Sequence, residues 1–270
     1  MLDRIAGVFQ NIRISPGFPQ TKQRINTLQA AGDIQQVREV PGVYRVTVPY
    51  ASVLSFPDEA VIQEANPIAV FSHFTAAAYH NLTYEIPNEF HLTCFRNSST
   101  RLPLGTAQED WIDVPKPRQR TPDSIGGVQI HWHKSKPEWD FGHTLGDSQG
   151  CPIYITDPER TLLDALRFPG RCGGVTEVLR IWRRALPSLT LDVLVDYVRR
   201  FDQTLLRQRV GFIIERLGVT HSILQEWASK SVRGGSAKLF ANLDFSPTYS
   251  ERWNLSINVP DTVLSELNED

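Results

Sequence analysis

Apolar positions recur at helical spacing at both ends of the chain and alternate with polar ones in the middle. Leu2, Ile5, Ala6 and Phe9 fall on one helical face and predict a short helix over 2–11. Pro16, Gly17 and Pro19 punctuate the next stretch. Thr21 stands where an N-cap would precede a helix running to about Ala31, with Ile25 and Leu28 on its apolar side and Gly32 as its stop. DIQQVREV and VYRVTV then read as two strands joined through Pro41-Gly42. A helix followed by a hairpin is the closing part of a winged helix-turn-helix. The pattern therefore predicts a partial module of that kind over residues 1–55.

Pro49 to Pro67 reads as a connector, and a larger mixed α/β domain is expected over 66–270. AVFSHFTAAAYHNL has helical spacing, whereas EFHLTCF alternates as a strand. GVQIHWHK and PIYIT are further strands, 158–217 is a run of helices, VRGGSAK is a glycine loop, and ERWNLSINVP is a late strand before a short acidic helix. The fold class expected is α+β.

Composition narrows this picture without redirecting it. Hydrophobic residues make up 41% of the chain and charged residues 21%, with no apolar run long enough for a membrane span. The opening MLDRIAGVFQNIRI lacks the features of a signal peptide. A cytoplasmic protein with reduced cysteines is expected; Cys94, Cys151 and Cys172 are odd in number and none is in C-x-x-C spacing.

Charge matters more by position than in sum. The formal net charge is −2, yet residues 1–50 carry six cations against three carboxylates, a local +3. In the second predicted helix Thr21, Lys22, Gln23, Arg24 and Asn26 are the residue types that read or grip DNA. Arg and Lys pair with guanine edges, Gln and Asn with adenine edges, and the N-terminal part of a recognition helix enters the major groove. Arg38 and Arg45 lie on the hairpin, where a wing approaches phosphates.

A second cationic region is larger. Residues 157–217 contain 11 arginines, no lysine and eight carboxylates. Internal ion pairs and a binding surface are both open readings. Arg183-Arg184 and Arg199-Arg200 are the pairs expected to face a partner.

Covalent chemistry finds little footing. His131, His133, His143 and Cys151 are metal-ligand types, but their spacing matches no zinc pattern. Ser72 and His73 diverge on a helix, and Cys172, beside Arg171 in RCGGV, has no base near it in sequence. No phosphate-binding glycine motif is present. Asp157 before Pro158 reads as a helix N-cap. No catalytic residue, metal or cofactor is assigned.

Three blocks, in order, resemble the AbiEi-type antitoxins of type IV (abortive infection) toxin–antitoxin systems: SHFTAAAYHNLTYEIPNEFHLT, IYITDPERTLLDALRFPGRCGGVTEVLRIWRRAL and ERWNLSINVP. The resemblance spans about residues 20–260. It implies a winged helix that binds inverted repeats in its own promoter and represses it. It also implies a C-terminal antitoxin domain that aids self-association, and a nucleotidyltransferase toxin as functional partner without a stable complex. Lys22, Arg24, Arg38 and Arg45 match the family's basic winged-helix surface by position. A protein-interaction module, with the winged helix only structural, is the alternative expectation.

Overall fold

The computed structural model describes residues 18–47, 56–95, 101–112, 119–231 and 237–267. The helix expected over 2–11 and most of the VRGGSAK loop lie outside these residues. The protein is α+β, and its described residues fall into two compact units. The first comprises residues 1–70, 88–137 and 144–155, the second 71–87, 138–143 and 156–270. The linear boundary expected between 55 and 66 falls inside the first unit.

In the first unit, helix α1 (Phe18–Ala31) leads into the antiparallel hairpin β1 (Ile34–Gln36) and β2 (Tyr44–Val46), with Ile34 opposite Val46. The helix begins three residues before the expected cap, so Thr21 sits in its first turn. Thr21 and Ile25, one helical turn apart, are both buried, which fixes the inward face of α1. Val37, Val40 and Val43 are buried inside the turn of the hairpin, and Gly42 reverses the chain with a φ of 88°.

Helix α2 (Asp58–Ala65) follows. A six-stranded sheet is then built from β3 (Val70–Phe71), β4 (Glu89–Phe95), β5 (Ser124–Ile125), β6 (Val128–Ser135), β7 (His143–Ser148) and β8 (Cys151–Thr156). Its order is β5-β6-β4-β3-β8-β7. β4 and β6 run parallel in register, His91 opposite His131, while β5 pairs antiparallel with β6. The stretch expected as one helix from Ala69 to Leu82 divides: Val70 and Phe71 join the sheet, and only His73–Tyr79 forms helix α3. HTLGDS, which carries no clear alternation of apolar residues, is nevertheless strand β7.

The second unit is mainly helical: α3, α4 (Pro158–Arg167), α5 (Val175–Ala185), α6 (Leu191–Phe201), α7 (Thr204–Arg216) and α8 (Ser222–Ser229). The short pair β9 (Tyr249–Ser250) and β10 (Leu255–Ser256) and helix α9 (Asp261–Leu264) follow. Asp157 caps α4 as expected: its Oδ1 accepts the Arg160 amide at 2.8 Å, and Pro158 occupies the first helical position. The CGG turn enters α5 through Gly173 and Gly174, at φ 75° and 90°. One apolar cluster fills the unit, drawing Leu162 and Leu166 from α4, Trp182 from α5, Phe201 from α6, Ile213 from α7 and Trp253 from the β9–β10 turn. No helix among the described residues is long and apolar enough to cross a membrane.

Candidate functional site

Helix α1 is polar on its outer face because its inner face is committed. With Thr21 and Ile25 buried, Lys22, Gln23, Arg24 and Asn26 are left exposed. Thr21 is the exception among the residues expected to contact DNA: at 4% exposure it has no surface to offer. The earlier start of the helix is the reason. A capping position would have left Thr21 at the mouth of the helix, whereas the first turn rotates it inward. Arg38 is exposed in the hairpin turn. Arg45, on β2, is half-buried and lies 4.0 Å from Asp58, an ion pair at the outer limit of contact. The structure adds one cation that nothing in the sequence marked. A Cβ on Gly42 would lie 2.9 Å from the Arg120 guanidinium, so Arg120 sits against the hairpin turn from 78 residues away. Its backbone is tied to α2 through the Ala65 carbonyl.

The arginine-rich stretch of the second unit divides into cations that serve the interior and cations that do not. Arg160, 1% exposed, donates from Nε to Asp164 at 2.9 Å and from Nη1 to the carbonyls of Trp139 and Phe141, both at 2.8 Å. Its guanidinium also lies over Phe141 and Phe201. Arg167 shares Asp164 at 3.2 Å and covers Trp139. Burial acts to raise the Asp164 carboxyl, but the charges of Arg160, His73 and Arg167 outweigh it and hold it below the usual carboxylate range. Arg180 grips Glu266 through two hydrogen bonds, of 3.0 and 2.9 Å.

Of the four arginines expected to face a partner, Arg184 is turned inward in part. It pairs with the buried Glu177 at 3.2 Å, and its guanidinium lies 4.2 Å from the centre of the Tyr84 ring. Arg200 lies over Phe141 at 4.0 Å while remaining exposed. Arg199 is exposed and Arg183 half-buried, and neither makes an ion pair among the described residues. All four fall in the last turns of α5 and α6, where positive charge also complements the helix carbonyl ends.

A third polar group spans β4 and β6. The parallel register puts Glu89, His91, His131 and His133 on one face of the sheet. They form a chain of hydrogen bonds: His133 Nε2 to His91 Nδ1 at 2.9 Å, His91 Nε2 to Glu89 Oε1 at 3.0 Å, and Glu89 Oε2 to His131 Nε2 at 2.8 Å. The alternation of His131 and His133 was visible in one strand; Glu89 and His91 were not, because they arrive from a strand 42 residues earlier. Burial acts to raise the Glu89 carboxyl, but the His131 hydrogen bond and the neighbouring histidine charges outweigh it and lower it. The rings are stacked, with interplanar angles of 18° and 14°, so their nitrogens meet one another and Glu89 instead of converging on a point. Among the described residues, no group of three or more His, Cys, Asp or Glu is arranged to hold a metal ion. His143, also weighed as a ligand, pairs with Asp140 at 3.1 Å.

Ser72 and His73 are both buried. The Cys172 thiol, although Arg171 is beside it, is pushed far up: burial and the Asp164 carboxylate outweigh the arginine. Such a thiol stays protonated and unreactive.

No protein-family model matches the chain, and no curated protein matches it in sequence. Among solved structures, the chain is similar to the RV2827C protein from Mycobacterium tuberculosis. The TM-score is 0.55 at 12% identity, and the match covers 92% of this chain and 83% of that one. At this identity the likeness concerns the fold, and it extends over nearly the whole α+β chain.

Proposed function

We propose that the protein is a cytoplasmic DNA-binding antitoxin and transcriptional autorepressor of a type IV toxin–antitoxin, phage-defence operon. It acts without covalent chemistry, through a winged helix made of α1 and the β1–β2 hairpin. The observation that carries this reading is the exposure of Lys22, Gln23, Arg24 and Asn26 together on one helix, immediately before a hairpin whose turn presents Arg38. Lys22 and Arg38 neutralise phosphates, while Gln23, Arg24 and Asn26 meet base edges in the major groove. Self-association of the protein sets the spacing of inverted repeats in the promoter. A nucleotidyltransferase toxin, held in check without a stable complex, is the functional partner. A gel-shift assay with the DNA upstream of the operon tests this. Wild-type protein retards the fragment, and Lys22→Ala with Arg24→Ala abolishes the shift; an unchanged shift removes the DNA reading.

A second reading, an interaction module for a toxin or effector protein, has its own support. Tyr84 is 85% exposed and Ile86 92%, two large apolar side chains on one loop, with Arg184 over the Tyr84 ring. Aromatic and arginine side chains presented together are the composition of a protein-binding hot spot. Co-purification with the neighbouring gene product, lost on Tyr84→Ala with Ile86→Ala, would favour this reading over the first.

A further inference from the structure

Alongside α1 the first unit contains a mainly apolar cavity of about 910 Å³, open to solvent at Leu28 and bordered by Arg24. Ile25 and Leu28 of α1, Val46 of β2, Val61 of α2 and Leu104 supply its apolar surface. This size is in the range of small-molecule sites, which span about 300–1,000 Å³ and pair apolar walls with a few polar groups.

The polar groups on the wall are unequal. Gln63 is fully engaged: its amide nitrogen donates to the Asn66 and Ala69 carbonyls, and its oxygen accepts from the Tyr154 amide. Arg45 is not. Its Nε is buried without an acceptor, and its ion pair with Asp58 is stretched to 4.0 Å. A half-buried guanidinium at the edge of an apolar cavity, with one buried N–H unpaired, is a receptor for an anion. Arg24 and the Glu64 carboxylate, also on the wall, carry opposite charges, so that with Arg45 the wall bears one net positive charge, suited to a single anionic group.

We propose that this cavity binds a small, predominantly apolar molecule carrying a single anionic group, its body between Ile25, Leu28 and Val61 and its charge on Arg45. Such a ligand touches the underside of α1 and the strand that carries Arg45. If the DNA reading above holds, the ligand is therefore an effector that resets the recognition helix. The binding itself does not depend on that reading.

Two fluorescent probes test the site on the full-length protein without DNA: 8-anilinonaphthalene-1-sulfonate, which is anionic, and N-phenyl-1-naphthylamine, which is neutral. Both are expected to bind one per chain and to raise the melting temperature, as a ligand of the folded state must. Arg45→Gln should weaken the anionic probe about tenfold, the equivalent of one charge-assisted hydrogen bond, and the neutral one less than about twofold. Ala60→Trp, which fills the cavity from α2, should abolish both, and Leu28→Trp does the same from the opposite wall should the first variant fail to fold. The proposal is overturned if neither probe binds, if binding lowers the melting temperature, if a cavity-filling variant that folds still binds, or if Arg45→Gln weakens both probes equally. A gel shift on the same protein keeps the two ideas apart: retarded DNA without probe binding removes the cavity site and leaves the repressor reading intact.

Discussion

The indole of Trp253 lies directly on Gly211, in the middle of α7. A methyl group built on Gly211 would overlap the ring, and the ring is held there by a hydrogen bond from its Nε1 to Glu215 at 2.6 Å. Glycine costs a helix interior about 1 kcal/mol relative to alanine, so its presence here reflects packing. Gly211→Ala is therefore expected to destabilise the protein by about 1–3 kcal/mol through overpacking, despite its better helix propensity. Urea denaturation decides the sign. In a Trp253→Leu background Gly211→Ala should cost less than it does alone, since the clash is with the ring.

Asp164 balances the buried Arg160 and the half-buried Arg167. Asp164→Asn leaves Arg160 and Arg167 without their shared counter-charge, and a cost of about 3–5 kcal/mol is expected from breaking such a buried network. Arg167→Met should cost less than Arg160→Met, because Arg160 alone also holds the Trp139 and Phe141 carbonyls. Chemical denaturation of the three variants gives the ranking.

Tyr197 donates its hydroxyl to Asp157 Oδ2 at 2.6 Å, while the other oxygen of that carboxylate caps α4. Tyr197→Phe is expected to cost about 1–2 kcal/mol, the value of a hydrogen bond to a charged acceptor, without changing the helical content of the folded protein. A larger loss with reduced helicity would mean that the cap depends on the tyrosine.

The Glu89 carboxyl, lowered from its ordinary 4.5, contributes stability that is complete above that value and lost as the pH falls through the lower value of the folded state. The difference in unfolding free energy between wild type and Glu89→Gln should accordingly be present at neutral pH and shrink in acid. A difference that persisted undiminished in acid strong enough to protonate Glu89 would contradict the lowering of this carboxyl.

What the sequence reveals follows from distance along the chain. The Asp157-Pro158 cap is local and visible, as are the hairpin at Pro41-Gly42 and the alternation of His131 with His133. The inward turn of Thr21 is not, because it depends on where α1 begins, and Phe18 and Pro19 enter the helix ahead of any capping residue. The arginines show the same divide. Their number is plain in the sequence, but whether one meets a distant carboxylate, as Arg180 does with Glu266, or an aromatic face, as Arg184 does with Tyr84, depends on residues up to 100 positions away. Arg120 beside Gly42, and the joining of Glu89 and His91 to His131 and His133 across 42 positions, carry no local signal at all.

The repressor account is tested most directly by the salt dependence of binding to the operon's upstream DNA, followed by fluorescence anisotropy. Each phosphate contact contributes about −0.9 to the slope of log affinity against log salt, so Lys22→Ala and Arg38→Ala should each flatten the slope by about 1 and weaken binding at every salt concentration. Folded single and double variants that keep both the wild-type affinity and the wild-type slope would contradict it.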